Sequence, residues 1–159
     1  MNANIDKIIN DVVSTYISEK KEINDISLSL ARKLIAKVEE RASEMGVNAV
    51  VAVANNSGRT IAVECMDNSF LASFDIAVNK AFTCVALKMS TKKLSELAQP
   101  GASLYGIQFT NSGKIVIFGG GEPLEVGNSI IGAVGVSGGT EKQDTELATF
   151  AKEAFNKLI

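Results

Sequence analysis

The 159-residue chain contains no histidine and no tryptophan. The missing imidazole removes Ser-His-Asp and Cys-His catalysis, His-ligated zinc and the usual proximal ligand of haem. Proton transfer is left to Asp, Glu, Lys, Tyr and Cys. Glycine supplies the first candidate site, because eight of the 13 glycines fall between Gly119 and Gly139. Gly119, Gly120 and Gly121 in one stretch, and Ser137, Gly138, Gly139 and Thr140 in another, can bring backbone N–H groups close to a ligand. The expected helix start at Thr140 aims further unpaired N–H groups outward. A carboxylate, phosphate or propionate suits such a place. No G-x-x-x-x-G-K-[ST] or G-x-G-x-x-G pattern is present, and glycines that serve only turns and close helix–sheet contact explain the same residues.

A second group is Glu64-Cys65-Met66-Asp67 followed by Asp75, Asn79 and Lys80. The four- and five-residue spacing places Asp75, Asn79 and Lys80 in one region of a helix face, where they pair with each other or point at a pocket. An enzyme built here would use Asp67, Asp75 or Lys80 as acid or base. Cys65 and Cys84 are weak thiolate candidates for a metal or haem, since a lone Cys is usually a small buried hydrophobe. Tyr105, beside Gly106, offers a pocket wall or a hydrogen-bond donor. Asn55, Asp67, Lys80 and Tyr105 join the two Gly-rich stretches as the candidate ligand-binding set. No catalytic residue is assigned.

The elements that must position these residues are legible from periodicity. Ile5, Ile8, Ile9, Val12, Val13, Tyr16 and Ile17 form an apolar stripe on a helix from about Asn4 to Ser18. Its polar face lacks the Lys/Arg richness of a membrane-surface helix. It docks on its own domain, across a dimer, or into a partner's groove. A helix follows from Ser27, as N-cap, to Met45, with Gly46 as its left-handed stop. Val47 to Ala54 and Arg59 to Cys65 are strands joined by Asn55-Asn56-Ser57-Gly58. Phe70 to Met89 is helical, and Ser90 caps a shorter helix through Ala98. Leu104 to Thr110 is a loop or a frayed turn. Lys114 to Phe118 is a strand, Gly119 to Pro123 a turn or loop, and Ser129 to Val136 another strand. Thr140 with Gln143 makes a capping box for a last helix through Leu158. The order α-β-β-α-α-β-β-α, with antiparallel neighbours, is an α+β layout rather than a βαβ unit.

A length of 159 residues with 46% hydrophobic and 21% charged side chains fits one globular domain with a short appendage. The division reads as residues 1–20 for the amphipathic helix, 21–26 for a linker and 27–159 for the domain. A net charge of -2 argues against holding a phosphate backbone, so no nucleic acid is expected. Two cysteines make neither a disulfide framework nor a C-x-x-C motif. The absence of a membrane span and of a secretory start points to a cytoplasmic protein.

Several stretches, taken in order, resemble the GlcG/HbpS family, the group that includes the C-terminal domain of PduO-type proteins. They are Val53-Ala54-Asn55-Asn56-Ser57-Gly58, Glu64-Cys65-Met66-Asp67 and the run from Asp75 to Thr83. Gln99-Pro100-Gly101, Leu104-Tyr105-Gly106, Gly119 to Leu124 and Ile131 to Asp144 continue the likeness. The resemblance implies a profilin-like antiparallel sheet flanked by helices, assembly into homo-oligomers, and binding of haem or a related small molecule. This chain has Asn55 where the family often has Asp, and Cys65 where Arg is common. Haem-binding members tend to use histidine, which is absent here. The adenosyltransferase domain that precedes this module in PduO is also absent, so adenosyl transfer to cobalamin is not carried over. Asn4 to Ser18 is similar in length and pattern to the peptides that dock cargo on a bacterial microcompartment shell.

Three functions stand after this reading. The first is an accessory protein that binds a small molecule, haem or corrinoid-related, as microcompartment cargo. The second is an enzyme using Asp/Lys acid–base chemistry. The third is a structural oligomer whose glycines serve close contact alone. The expected partners are a second copy of the chain, a small-molecule ligand, and a shell or cargo protein reached through residues 4–18.

Overall fold

The structure, a computed structural model, describes residues 5–9 and 23–159. Residues 5–9 are helical, and Ile5, Ile8 and Ile9 are exposed. The remainder of the expected leader helix, residues 4 and 10–18, lies outside the described residues.

Helix α1 (Leu28–Glu44) begins at Ser27, whose hydroxyl accepts the Leu30 N–H. It ends in a Schellman motif: Gly46 takes φ +67° and the Val47 N–H reaches back to the Ala42 carbonyl. Strands β1 (Val50–Asn55) and β2 (Thr60–Cys65) form a hairpin. Then come α2 (Ser73–Leu87), α3 (Thr91–Leu97) and two short 3-10 turns, Ile107–Phe109 and Asn111–Gly113. A second hairpin, β3 (Gly121–Val126) and β4 (Ser129–Ser137), precedes α4 (Glu141–Leu158). The four strands lie in the order β2-β1-β4-β3, all neighbours antiparallel. This is the expected α-β-β-α-α-β-β-α layout.

Strand periodicity sorts the core into two faces. Val51 and Val53 of β1 join Val134 and Val136 of β4, Leu34, Ile35 and Val38 of α1, and Leu147, Ala151 and Phe155 of α4. Val50 and Ala52 point the other way, toward Ala77 on α2. A full-length apolar side chain buried in this way contributes roughly 1.5–3 kcal/mol. The unbroken buried run from Val50 to Ala54 in β1 follows, since both faces of a central strand are covered.

Two expectations need correction. Lys114 to Phe118 is not a strand: its Lys114 carbonyl and Val116 N–H bond the Thr83 hydroxyl on α2 instead of a neighbouring strand. The third strand begins at Gly121 and so takes in Gly121, Glu122 and Pro123, which glycine content had placed in a turn. Proline is tolerated because β3 is an edge strand. Glycine at 121 is required there by contact, since a Cβ would stand 2.8 Å from Cys84 Sγ and 3.0 Å from the Lys80 carbonyl.

Candidate functional site

The site is built from Lys80 outward. Ala77 and Ala81 let α2 lie against β4, and Lys80 emerges between them toward the end of the sheet. Its side chain is fully buried, and Nζ donates to Asp144 Oδ2 and to the Val136 carbonyl, both at 2.8 Å. The Phe118 ring centroid lies 5.0 Å from Nζ, a cation–π contact. Burial pulls the Lys80 pKa below the ordinary lysine value, and the Asp144 charge and hydrogen bond oppose that pull. Lys80 thus ties α2 to β4 and to the first turn of α4, linking the helical layers on both faces of the sheet.

Asp144 is the second half of the bridge. Its Oδ1 accepts the N–H groups of Gly138 and Gly139 at 3.1 and 2.9 Å. The same internal capture extends across the other Gly-rich stretch. Gly119 donates to Glu141 Oε1 at 3.1 Å, and Gly121 donates to Thr91 Oγ1 at 2.9 Å. Thr140 and Gln143 form the expected capping box. The glycine N–H groups that sequence reading offers to an outside anion therefore hold carboxylates and a hydroxyl of the protein itself.

Beside this bridge is a cleft of about 450 Å³. Phe70, Ile76 and Phe118 give it apolar walls, while Ser137, Gly138, Gly139, Glu141 and Asp144 form its polar side. Ser137 also donates to Ser73 Oγ at 3.1 Å, both hydroxyls being buried. Two other surface depressions are lined mostly by charged and polar groups. One, between α1 and α4, carries Glu40, Glu44, Glu146 and Glu153; the other, at the far end of the sheet, carries Asn56, Ser57, Lys88 and Asn128. The Phe70–Phe118 cleft alone among these joins aromatic walls to a short polar side, the make-up of a small-molecule site.

The structure brings Lys80, Gly119, Gly120, Gly121, Ser137, Gly138, Gly139 and Thr140 together around Asp144. The other candidates fall elsewhere. Asn55 closes the β1–β2 turn, its side-chain oxygen accepting from Ser57 and Arg59 N–H groups at the opposite end of β1. Asp67 is exposed in the turn after β2, and Tyr105 is exposed in the irregular segment after α3. Asp75 is exposed while Lys80 is buried, so the two do not share a helix face. Cys84 is buried against Gly121, and burial pushes its thiol pKa far up. Cys65 is exposed at the end of β2. Through Val50, which pairs with both, Cys65 stands in one row across the sheet with Ser137. Among the described residues no group of His, Cys, Asp and Glu is arranged to hold a metal ion.

Sequence reasoning missed Asp144, Phe70 and Phe118. The available signal for Asp144 was a lysine in an otherwise apolar helix, since a buried ammonium requires a counter-charge somewhere in the chain. Phe70 and Phe118 carry no periodic signal, because both lie in loops.

Comparison with known proteins completes the picture. The family model described as "Haem degrading protein HbpS-like" matches residues 26–153. A 15.0 kDa protein from the dhaT-dhaS intergenic region of Citrobacter freundii is 44% identical over 142 residues, covering 89% of this chain and all of that protein. The corrinoid adenosyltransferase PduO of Salmonella typhimurium is 36% identical over 156 residues, which are 94% of this chain but only 46% of PduO. The chain thus spans about half the length of PduO. The crystal structure of a PduOC:heme complex superposes with a TM-score of 0.79 at 37% identity, covering 82% of this chain and 94% of that one. By this domain-wide match, and by its likeness to GlcG and to the C-terminal half of PduO, the chain belongs to the GlcG/HbpS family.

Proposed function

We propose that the chain is an accessory module that binds a flat, tetrapyrrole-like small molecule, haem or corrinoid-related, in the cleft between Phe70 and Phe118. The observation that carries the reading is the aromatic-walled cleft at the end of a domain 37% identical to one crystallised with haem. The described residues fit the ring body of such a ligand and do not fit coordination of its iron. The cleft wall holds no Cys, Met or Tyr, the chain has no His, and Cys65 lies two strands across the sheet from Ser137. Recognition is then by the ring rather than by the metal.

Titration with haemin and with metal-free protoporphyrin tests this. Both are expected to bind saturably with affinities within about threefold of each other, a spread below 1 kcal/mol, and Phe118→Ala is expected to weaken both. Failure of either to saturate overturns the reading. So does binding of haemin alone that disappears in Cys65→Ser.

The same proposal covers the leader. Asn24 and Asp25 anchor the chain to the β1–β2 turn: the Asn56 side chain donates to the Asn24 carbonyl at 2.8 Å, and Asp25 Oδ1 accepts the Asn56 N–H at 3.0 Å. Ile26 donates to the Ile131 carbonyl. The residues before position 24 therefore join the domain at the end of β1 remote from Ser137 and the cleft. Exposed Ile5, Ile8 and Ile9 give that leader an apolar face for a shell or cargo protein of a microcompartment. Leu71 and Phe74, exposed at the start of α2, offer a face to a second copy of the chain. Deleting residues 1–20 is expected to abolish recruitment to shells and leave the melting temperature and ligand affinity of the domain unchanged. A truncated chain that unfolds or still co-purifies with shells overturns the docking role.

A further inference from the structure

The polar side of the cleft has an uneven supply of partners. The Gly119, Gly138 and Gly139 N–H groups are engaged by Glu141 and Asp144. The Lys80 ammonium is sealed from solvent and held by Asp144 and Val136. Both Asp144 oxygens are in use. The positive end of α4 is occupied as well, by the Glu141 and Asp144 carboxylates and the Thr140–Gln143 capping box.

Among the charged groups that line the cleft, what remains open is one oxygen of Glu141. Its side chain is 48% exposed, Oε1 takes the Gly119 N–H with Lys92 Nζ at 4.0 Å, and Oε2 has no partner among the described residues. Phe70 and Phe118, 70% and 41% exposed, stand in the same cleft.

Resting on the reading of this cleft as the ligand site, we infer that it selects a flat aromatic molecule carrying a cationic or hydrogen-bond-donating group placed at Glu141. A carboxylate directed there meets a like charge and finds the Gly119, Gly138 and Gly139 N–H groups and the Lys80 ammonium already bonded, while the exposed Lys92 ammonium lies outside the cleft lining. A ligand with its acids along one edge, such as haem, enters by the opposite edge and keeps those acids in water.

The experiment uses the full chain and two tricycles of equal size and opposite charge, 9-aminoacridine and 9-anthracenecarboxylate, titrated by fluorescence at low salt. The acridine is expected to bind about fivefold tighter, the scale of one half-exposed charge contact turned from repulsive to attractive. Glu141→Gln keeps an oxygen for Gly119 and should bring the two affinities together. Phe118→Ala should weaken both. Equal affinities, a preference for the anion, or a preference that survives Glu141→Gln overturns the inference. Tricycles that bind, respond to Phe118→Ala and show no charge preference overturn it while leaving the ring-binding site standing. Tricycles that fail to bind, or that ignore Phe118→Ala, sink both.

Discussion

Replacing Lys80 with Met, or Asp144 with Asn, is expected to destabilise the domain by about 3–5 kcal/mol, the cost of leaving one member of a buried ion pair uncompensated. Lys80 is fully buried and Asp144 nearly so, at a separation of 2.8 Å. The double variant Lys80→Met/Asp144→Asn should be less destabilised than the sum of the singles, because neither charge is then stranded. Urea unfolding of the four proteins measures this directly. A loss below about 1 kcal/mol in Lys80→Met would mean that water reaches the ammonium and that the bridge between the layers is not structural. The pH dependence has a defined sign. Burial lowers the Lys80 pKa, so its charge weighs against the native state below that pKa and the penalty fades as pH rises toward the ordinary lysine value. In Asp144→Asn the opposing influences of the carboxylate are gone and the lysine pKa falls further. The deficit of that variant should therefore narrow as the solution becomes more alkaline.

Much of the fold could be read from local chemistry. Ser27, Ser90 and the Thr140–Gln143 pair mark helix starts, and each makes the side-chain-to-backbone bond that its position calls for. Gly46 ends α1 as its permissive backbone allows. Local chemistry does not suffice where a residue's role depends on a distant neighbour. Gly121 belongs to a strand because α2 passes too close for a side chain, and nothing local announces that contact. Lys80 and Asp144 meet across 64 residues. On one dimension a buried lysine and a solvated one look alike; only the partner tells them apart. In the two Gly-rich stretches, the N–H groups of Gly119, Gly138 and Gly139 hold the protein's own Glu141 and Asp144 carboxylates.

That internal occupation links stability to function. Asp144 neutralises Lys80, draws Gly138 and Gly139 into place and holds the first turn of α4, all beside the cleft. For the proposed ligand, the cleft's polar side is thus already set by the protein's own hydrogen bonds, which lowers the ordering cost of binding.

The second large effect is expected at Gly135. A Cβ there would run into the Ala77 carbonyl and stand 2.7 Å from the Ala81 N and 3.0 Å from Lys80 Cβ. These are mostly backbone atoms of α2, so no side-chain rotation relieves the overlap and the helix must move off the sheet. Gly135→Ala should cost about 3 kcal/mol, the upper range for overpacking a filled core. Moving α2 also shifts Lys80, and with it the contact to Phe118 at the cleft wall. The variant should therefore lose ligand affinity as well as stability, although Gly135 does not line the cleft. Gly127→Ala supplies the comparison: it lies in the β3–β4 turn at φ +59° with nothing within 4 Å, so its strain stays local. If Gly135→Ala unfolds no more easily than Gly127→Ala, the close approach of α2 to β4 is not what holds Lys80 in position.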